Sequence, residues 1–308
     1  MNFTFPKIIW ELRKTIGWID FIIIIIGMIG NIFIVLITYQ KKLRSFSKFL
    51  LISEAISDNG VLLLSGIRYY SILAFNFEFR NTSEAMCRFH SFLSYFTTDM
   101  PSWILVVLSL ERYLLLKYPL NPKLKTLNFR HALLIIIILV TIGITKNMSY
   151  LFNTISFYDK KCVSPFYRNE IIMASINTIF NLILPSLVVL CCTIGTLYII
   201  QRNHRRISFQ MNSTTKSGAG SEILQMILII SVYHLFSSFP MCLMQILTTS
   251  HVLDDFSPFI RILIYDITCS LYISNNSLKF YLYSYSSKKF RSTFYEYLKV
   301  CCKCSVRG

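Results

Sequence analysis

Seven long apolar stretches, at about 18–39, 49–74, 87–116, 131–152, 171–200, 223–250 and 258–284, alternate along this chain with short charged links. Each is near or above the roughly 20 residues that an α-helix needs to cross the hydrocarbon of a bilayer. Composition agrees with that reading. Of 308 residues, 54% are hydrophobic and only 15% charged, whereas an ordinary soluble domain carries about 25% charged residues. The expected fold is an all-α membrane protein, a seven-transmembrane helix bundle over residues 18–284. No internal repeat is visible, and seven is an awkward number for a transporter built from two equivalent halves.

The links set the orientation. Lys41, Lys42, Arg44 and Lys48 lie between the first and second stretches, with no acid among residues 40–50. Lys117, Lys123, Lys125 and Arg130 follow the third stretch, and Arg202, Arg205, Arg206 and Lys216 follow the fifth. The alternate links are close to neutral, with Glu78, Arg80 and Glu84 before Cys87, Asp159, Lys160 and Lys161 before Cys162, and Asp254 and Asp255 before the seventh stretch. The positive-inside rule then places the amino terminus outside and the carboxyl terminus in the cytoplasm. A net charge of +16 can also signal nucleic-acid binding. Here the basic residues sit in blocks between apolar runs, so the expected partner is the lipid bilayer and not a nucleic acid.

Residues 1–17 hold Lys7, Glu11, Arg13 and Lys14 and no short apolar core before a small-residue cleavage site. We expect an extracellular amino-terminal segment that is not a removable signal. Asn2 and Asn81 lie in sequons on that side and are expected glycosylation sites, whereas the sequon at Asn212 faces the cytoplasm. Over residues 285–308, Lys288, Lys289, Arg291 and Lys299 mix with Phe290, Phe294 and Leu298 at a spacing of four, which predicts a short cytoplasmic amphipathic eighth helix. Cys301, Cys302 and Cys304 beside it are either palmitoylation sites or unmodified tail thiols. They have no second ligand pair at zinc-site spacing, and no metal or cofactor is expected. Among nine cysteines only Cys87 and Cys162 lie at outer loop edges, and they are the expected disulfide.

Cys87 and Arg112 are twenty-five residues apart, roughly 37 Å of helix and so more than the bilayer hydrocarbon. A helix through this stretch puts the two residues at opposite faces. Alone, Glu111-Arg112 would read as an ion pair where a helix leaves lipid. With Cys87 upstream and the run Ser-Leu-Glu-Arg-Tyr-Leu-Leu-Leu-Lys-Tyr-Pro-Leu from Ser109 to Leu120, it resembles the third helix and following loop of rhodopsin-like G-protein-coupled receptors. The resemblance extends to Gly30-Asn31, to the run from Leu51 to Asp58, to Pro185 and Pro240 in the fifth and sixth stretches, and to Tyr283 followed by Lys288-Lys289-Phe290-Arg291. Within that family, Arg68-Tyr69-Tyr70 and Ser-Lys-Lys-Phe-Arg look most like invertebrate neuropeptide receptors, including those for FMRFamide-like peptides, and nematode chemoreceptor-type branches.

The resemblance implies a plasma-membrane receptor that passes binding of an extracellular ligand, a neuropeptide first, to a heterotrimeric G protein, with arrestin and a receptor kinase as further partners. It gives Glu111 the role of restraining Arg112 at rest, and it assigns Arg112, Tyr113 and Tyr283 to coupling and activation. It also sets Lys279 where the family carries an Asn that, with the counterpart of Asp58, helps hold a sodium ion. An ionisable group at mid-membrane costs at least about 2.5 kcal/mol and needs a partner or water. Lys279 therefore either replaces the ion and pairs with Asp58, or snorkels towards the cytoplasmic interface. Ser238, His234 and Thr193 depart from the family's Trp, Phe and Tyr, and Gly220 stands near its usual acid on the sixth helix.

For the ligand, Ser94 stands where amine receptors place an Asp, which disfavours a monoamine. The outer halves of the helices offer Arg68, Tyr69, Ser94, Tyr95, Thr98, Asp99, Gln245 and Asp266. An Arg-Phe-amide peptide would set its guanidinium on Asp266 or Asp99; the alternative is that Arg68 and Asp266 pair with each other. Five scattered His, no His-Glu-X-X-His and no Gly-X-Ser-X-Gly argue against an enzyme. The remaining rivals are a small-molecule chemosensory receptor of the same fold and an ion-coupled transporter using Asp58, Asp99, Lys146 and Lys279.

Overall fold

A computed structural model describes residues 6–40, 44–156, 160–163, 175–209, 218–249 and 257–305. The apolar stretches, with few breakers inside them, become helices whose backbone groups pair internally, as a chain in lipid requires. We label them α1 (Lys7–Gln40), α2 (Ser45–Phe75), α3 (Met86–Lys117), α4 (Phe129–Phe152), α5 (Ser175–Arg202) and α6 (Gly218–Thr249). α7 runs in two pieces, Pro258–Ser277 and Lys279–Ser286, and α8 spans Lys288–Ser305. Among the described residues, six helices are long and apolar enough to cross a membrane. α7 falls outside that set because its inward side is polar, carrying Asp266, Ser274, Asn275, Asn276, Ser277 and Lys279, all buried.

α3 is the central helix and packs against α2, α4, α5 and α6. The apolar core around it includes Ile34, Leu50, Ile104, Leu105, Leu108, Val189, Ile230 and Phe280. Polar side chains such as Asn31, Asp58, Asp99 and Asn275 are buried inside, while Ile22, Ile29, Leu134, Ile137 and Ile194 are exposed on the outside. This inversion of a soluble protein suits a surface that meets lipid.

Small residues set the closest approaches, as in membrane bundles generally. A Cβ on Gly27 would lie 2.5 Å from Ser277 Cα, so α1 and α7 meet only because none is there. Prolines are absorbed locally: Pro185 follows a π-helical turn over Thr178–Ile183, and Pro240 lies inside α6. Such turns reposition the carbonyl that a proline leaves without a donor.

One boundary differs from the sequence reading. α1 begins at Lys7 rather than near residue 18, so residues 7–17, expected as an extracellular segment, are helical. The reason is tertiary: Arg13 and Gly17 are buried within the bundle. At the other end, Ser287 breaks the chain and its Oγ accepts the Phe290 N–H at 3.0 Å, starting α8. Phe290 packs against Phe280 and Tyr283, and Phe294 against Phe33. The apolar face expected for this helix thus docks partly on α1 and α7. Cys301, Cys302 and Cys304 fall within α8, but their side chains lie outside the described residues, as do Asn2 and Asn212.

Candidate functional site

Three polar centres lie along the bundle. The first is held by α2 and α7. Glu54 and Asp58 are four residues apart on one helix and so share a face, and Lys279 reaches between them with its Nζ 2.7 Å from Glu54 Oε1 and 2.9 Å from Asp58 Oδ1. All three are buried. One ammonium between two carboxylates leaves either a single negative charge or a shared proton. The Tyr283 side chain interacts with Glu54, and Asn31 donates to Asn59 and to the Asn276 carbonyl, each at 3.1 Å.

The second centre is at the Arg112 end. Both carboxylate oxygens of Glu111 accept from the Ser47 hydroxyl of α2, and Arg44 Nη1 lies 3.6 Å from Glu111. Arg112 Nη2 donates to the same hydroxyl at 2.8 Å and lies 3.6 Å from Glu111. Ser109 and Ser231 meet at 3.3 Å between α3 and α6. The crevice beside Arg112, lined by Thr193, Thr196, Ile227 and Ser231, has a volume of only about 10 Å³. That end is closed. Tyr113 packs against Gly195, where an added Cβ would come 2.5 Å from its ring.

The third centre is a cavity of about 470 Å³ at the disulfide end, within the range of small-ligand sites. A Cys87–Cys162 disulfide, Cα–Cα 5.4 Å, ties α3 to a hairpin of β1 (Thr154–Ile155) and β2 (Cys162–Val163). Asn81 Oδ1 accepts the Cys162 N–H at 2.8 Å and brings the link after α2 over the same hairpin. Arg68, Tyr69, Ser94, Tyr95, Thr98, Gln245 and Asp266 all line the cavity, joined by Arg13, Arg80, Tyr265 and Tyr272.

Comparison with known proteins agrees with this architecture. Residues 30–279 match the model of the 7 transmembrane receptor (rhodopsin family). The chain belongs to that family.

Rhodopsin-family membership makes it a multi-pass membrane protein of a receptor family, not an enzyme family. Among its relatives are the neuromedin U receptor homolog nmur-2 of Caenorhabditis elegans, 31% identical over 37% of this chain and 29% of that protein, and neuropeptide receptor 22 of the same organism, 27% identical over 42% and 30%. The chain spans less than a third of the length of either nematode relative. The type-1 angiotensin II receptor of Bos taurus is 24% identical over 90% of this chain and 79% of its own length.

Within this rhodopsin-family bundle, three sequence expectations are corrected. Asp99 does not line the cavity; it is fully buried behind it, bound by Lys146 at 2.9 Å and by Asn147 at 2.6 Å. Arg68 and Asp266 do not pair with each other. Arg68 binds Glu78, Nε to Oε1 2.8 Å, while Asp266 takes Arg13 Nε at 2.7 Å and the Tyr69 hydroxyl at 2.8 Å. Lys279 does not extend to the interface, because its ammonium finds two carboxylates inside.

Several site residues escaped the sequence reading. Glu54 was legible in principle, since it stands one turn before Asp58. Ser47 and Arg44 carried no signal beyond a basic link, and Arg13 was assigned to a segment outside the bundle. His234, standing where the family has Phe, bonds Asn275 at 3.2 Å and is buried, joining α6 to α7 by a polar contact.

Proposed function

We propose that the protein is a plasma-membrane receptor that binds a short extracellular peptide in the cavity at its disulfide end and activates a heterotrimeric G protein at its Arg112 end. The observation that carries this reading is the opposition, among the described residues, of a cavity of about 470 Å³ at one end and a crevice of only about 10 Å³ beside Arg112 at the other, both bordered by α3. The names of the nematode relatives support a peptide as ligand. Basic links on the Arg112 side support a cytoplasmic position for that end and an extracellular one for the amino terminus.

Ligand binding favours a packing in which α6 moves off α3, parting Ser231 from Ser109 and freeing Arg112 from Ser47 and Glu111. This is a population shift between two arrangements of the same helices. The opened face, with the basic links around it, engages the G protein, and arrestin and a receptor kinase would use the same face. The domains follow from this reading: residues 18–284 carry transmission, the amino-terminal segment 1–17 contributes Arg13 to the cavity lining, and residues 285–308 lie along the inner leaflet.

The test is nucleotide exchange on a panel of purified G proteins, using membranes with the wild type and with Arg112→Ala, with and without a peptide library. Exchange above empty membranes that disappears in the variant supports the reading. Equal exchange from both, or none with any peptide, overturns it.

A further inference from the structure

Among the described residues the charges at the cavity do not balance. Asp266, the carboxylate in its lining, is already taken by Arg13 and Tyr69. Arg68 is neutralised by Glu78 at the rim. Asp20 lies outside the lining and accepts from Ser270 at 2.8 Å. Arg80 remains. It lines the cavity and has no carboxylate within ion-pair distance among the described residues. Its Nε is buried with no hydrogen-bond partner, and its guanidinium carbon sits 5.6 Å from the Tyr95 ring centroid. Tyr95 in turn stacks on Tyr150 with centroids 4.2 Å apart.

Burial, and after it the like charge of Arg68, hold the Arg80 guanidinium below its ordinary value. An arginine does not give up its proton in a protein. A cation kept in a partly desolvated cleft, whose nearest carboxylate, Glu78, is already ion-paired with Arg68, is costly by itself and attracts an anion strongly. Tyr95, which lines the cavity and is backed by Tyr150, offers aromatic surface for an apolar or aromatic group next to that anion.

We propose that this cavity selects ligands bearing a carboxylate, held by Arg80 with an aromatic neighbour against Tyr95. This rests on the receptor reading above and names the ligand class of that site. It reverses the charge expected from the sequence. Among the described residues an Arg-Phe-amide finds no free acid in the lining, because Arg13 already occupies Asp266, whereas a peptide with a free carboxyl terminus or an acidic side chain finds a guanidinium with no ion pair of its own.

The test uses the full chain in lipid nanodiscs and three probes: N-acetyl tyrosyl-phenylalanine as its carboxylate, the same dipeptide as its carboxamide, and the carboxamide extended by an N-acetyl aspartyl residue. Thermal stabilisation is titrated with each. A guanidinium–carboxylate contact should favour the free carboxylate over the carboxamide by about ten- to a hundredfold in concentration. The aspartyl probe then tells whether a side-chain carboxylate serves as well. Arg80→Gln should abolish the preference and Arg80→Lys should keep part of it. A carboxamide that stabilises the wild type as well as the carboxylate does, or no stabilisation by any probe, overturns the proposal, and neither result depends on a variant folding. Basal nucleotide exchange on the same preparation separates the two failures: exchange that survives without a carboxylate preference rejects only the ligand class.

Discussion

The hydroxyl of Ser47 lies 2.8 and 2.9 Å from the two carboxylate oxygens of Glu111. The same hydroxyl accepts from Arg112 at 2.8 Å. The contacts of Arg112 are therefore shared between its sequence neighbour and a small side chain on α2.

Ser47→Ala removes the hydroxyl that bridges Glu111 and Arg112, a loss of about 1–3 kcal/mol for buried hydrogen bonds. Basal nucleotide exchange is expected to rise several-fold, with the melting temperature slightly lowered. Unchanged exchange in a well-expressed variant would mean that the hydroxyl does not hold the closed state.

Lys279→Met leaves Glu54 and Asp58 as two buried carboxylates without a cation, and breaking such a cluster costs about 3–5 kcal/mol. The melting temperature in nanodiscs should fall sharply. Adding Glu54→Gln and Asp58→Asn to the same chain should restore much of it, because no charge is then left buried. A single variant that melts with the wild type would refute the energetic role of the cluster.

Gly27→Ala and Gly60→Ala form a contrasting pair. The added methyl would lie 2.5 Å from Ser277 Cα in the first, and 3.3 Å from Thr97 Cγ2 in the second. Backbone cannot yield as a side chain can, so Gly27→Ala is expected to cost about 1–3 kcal/mol from overpacking and Gly60→Ala much less. Surface expression and melting temperature should rank the two in that order; the reverse order would contradict the α1–α7 packing.

Removing residues 1–17 is expected to destabilise the bundle, not merely shorten a tail, since Arg13 goes with them and leaves Asp266 with Tyr69 alone. Arg13→Gln isolates that effect. Breaking a buried pair costs about 3–5 kcal/mol, and Asp266→Asn in the same chain should recover part of it. A truncated chain that melts like the full one would show that Arg13 contributes nothing.

Glu78 provides a pH dependence. Burial pushes its carboxyl up, but hydrogen bonds and ion pairing with Arg68, with help from Arg80, outweigh burial and leave it below its ordinary value. A depressed carboxylate stabilises the folded state fully above the unfolded value of about 4.3, and that contribution is lost as pH falls through the lower folded value. Amide hydrogen exchange over residues 76–82, corrected for intrinsic rates, should therefore hold steady from pH 8 to 5 and loosen only in stronger acid. Glu78→Gln should show the loosened behaviour throughout.

Helix identity and membrane placement were legible in the order of residues. Hydrophobic length is a local property, and the link charges, Cys87, the Glu111-Arg112 run and the prolines each stand at positions that need no knowledge of the fold. The neighbourhood of Asp58 was half legible, because one helical turn relates it to Glu54 and a buried lysine demands acids. Partner choice was not. Arg13 and Asp266 are 253 residues apart, and several arginines and acids near the same bundle end allow many pairings on paper. Which of them meet depends on helix rotation and close approach, set by contacts such as Gly27 on Ser277, that no local pattern encodes. Hence the sequence named seven of the cavity's lining residues, while only the tertiary structure decided that Asp266 is occupied, Asp99 lies behind the cavity, and Arg80 is left without a carboxylate among the described residues.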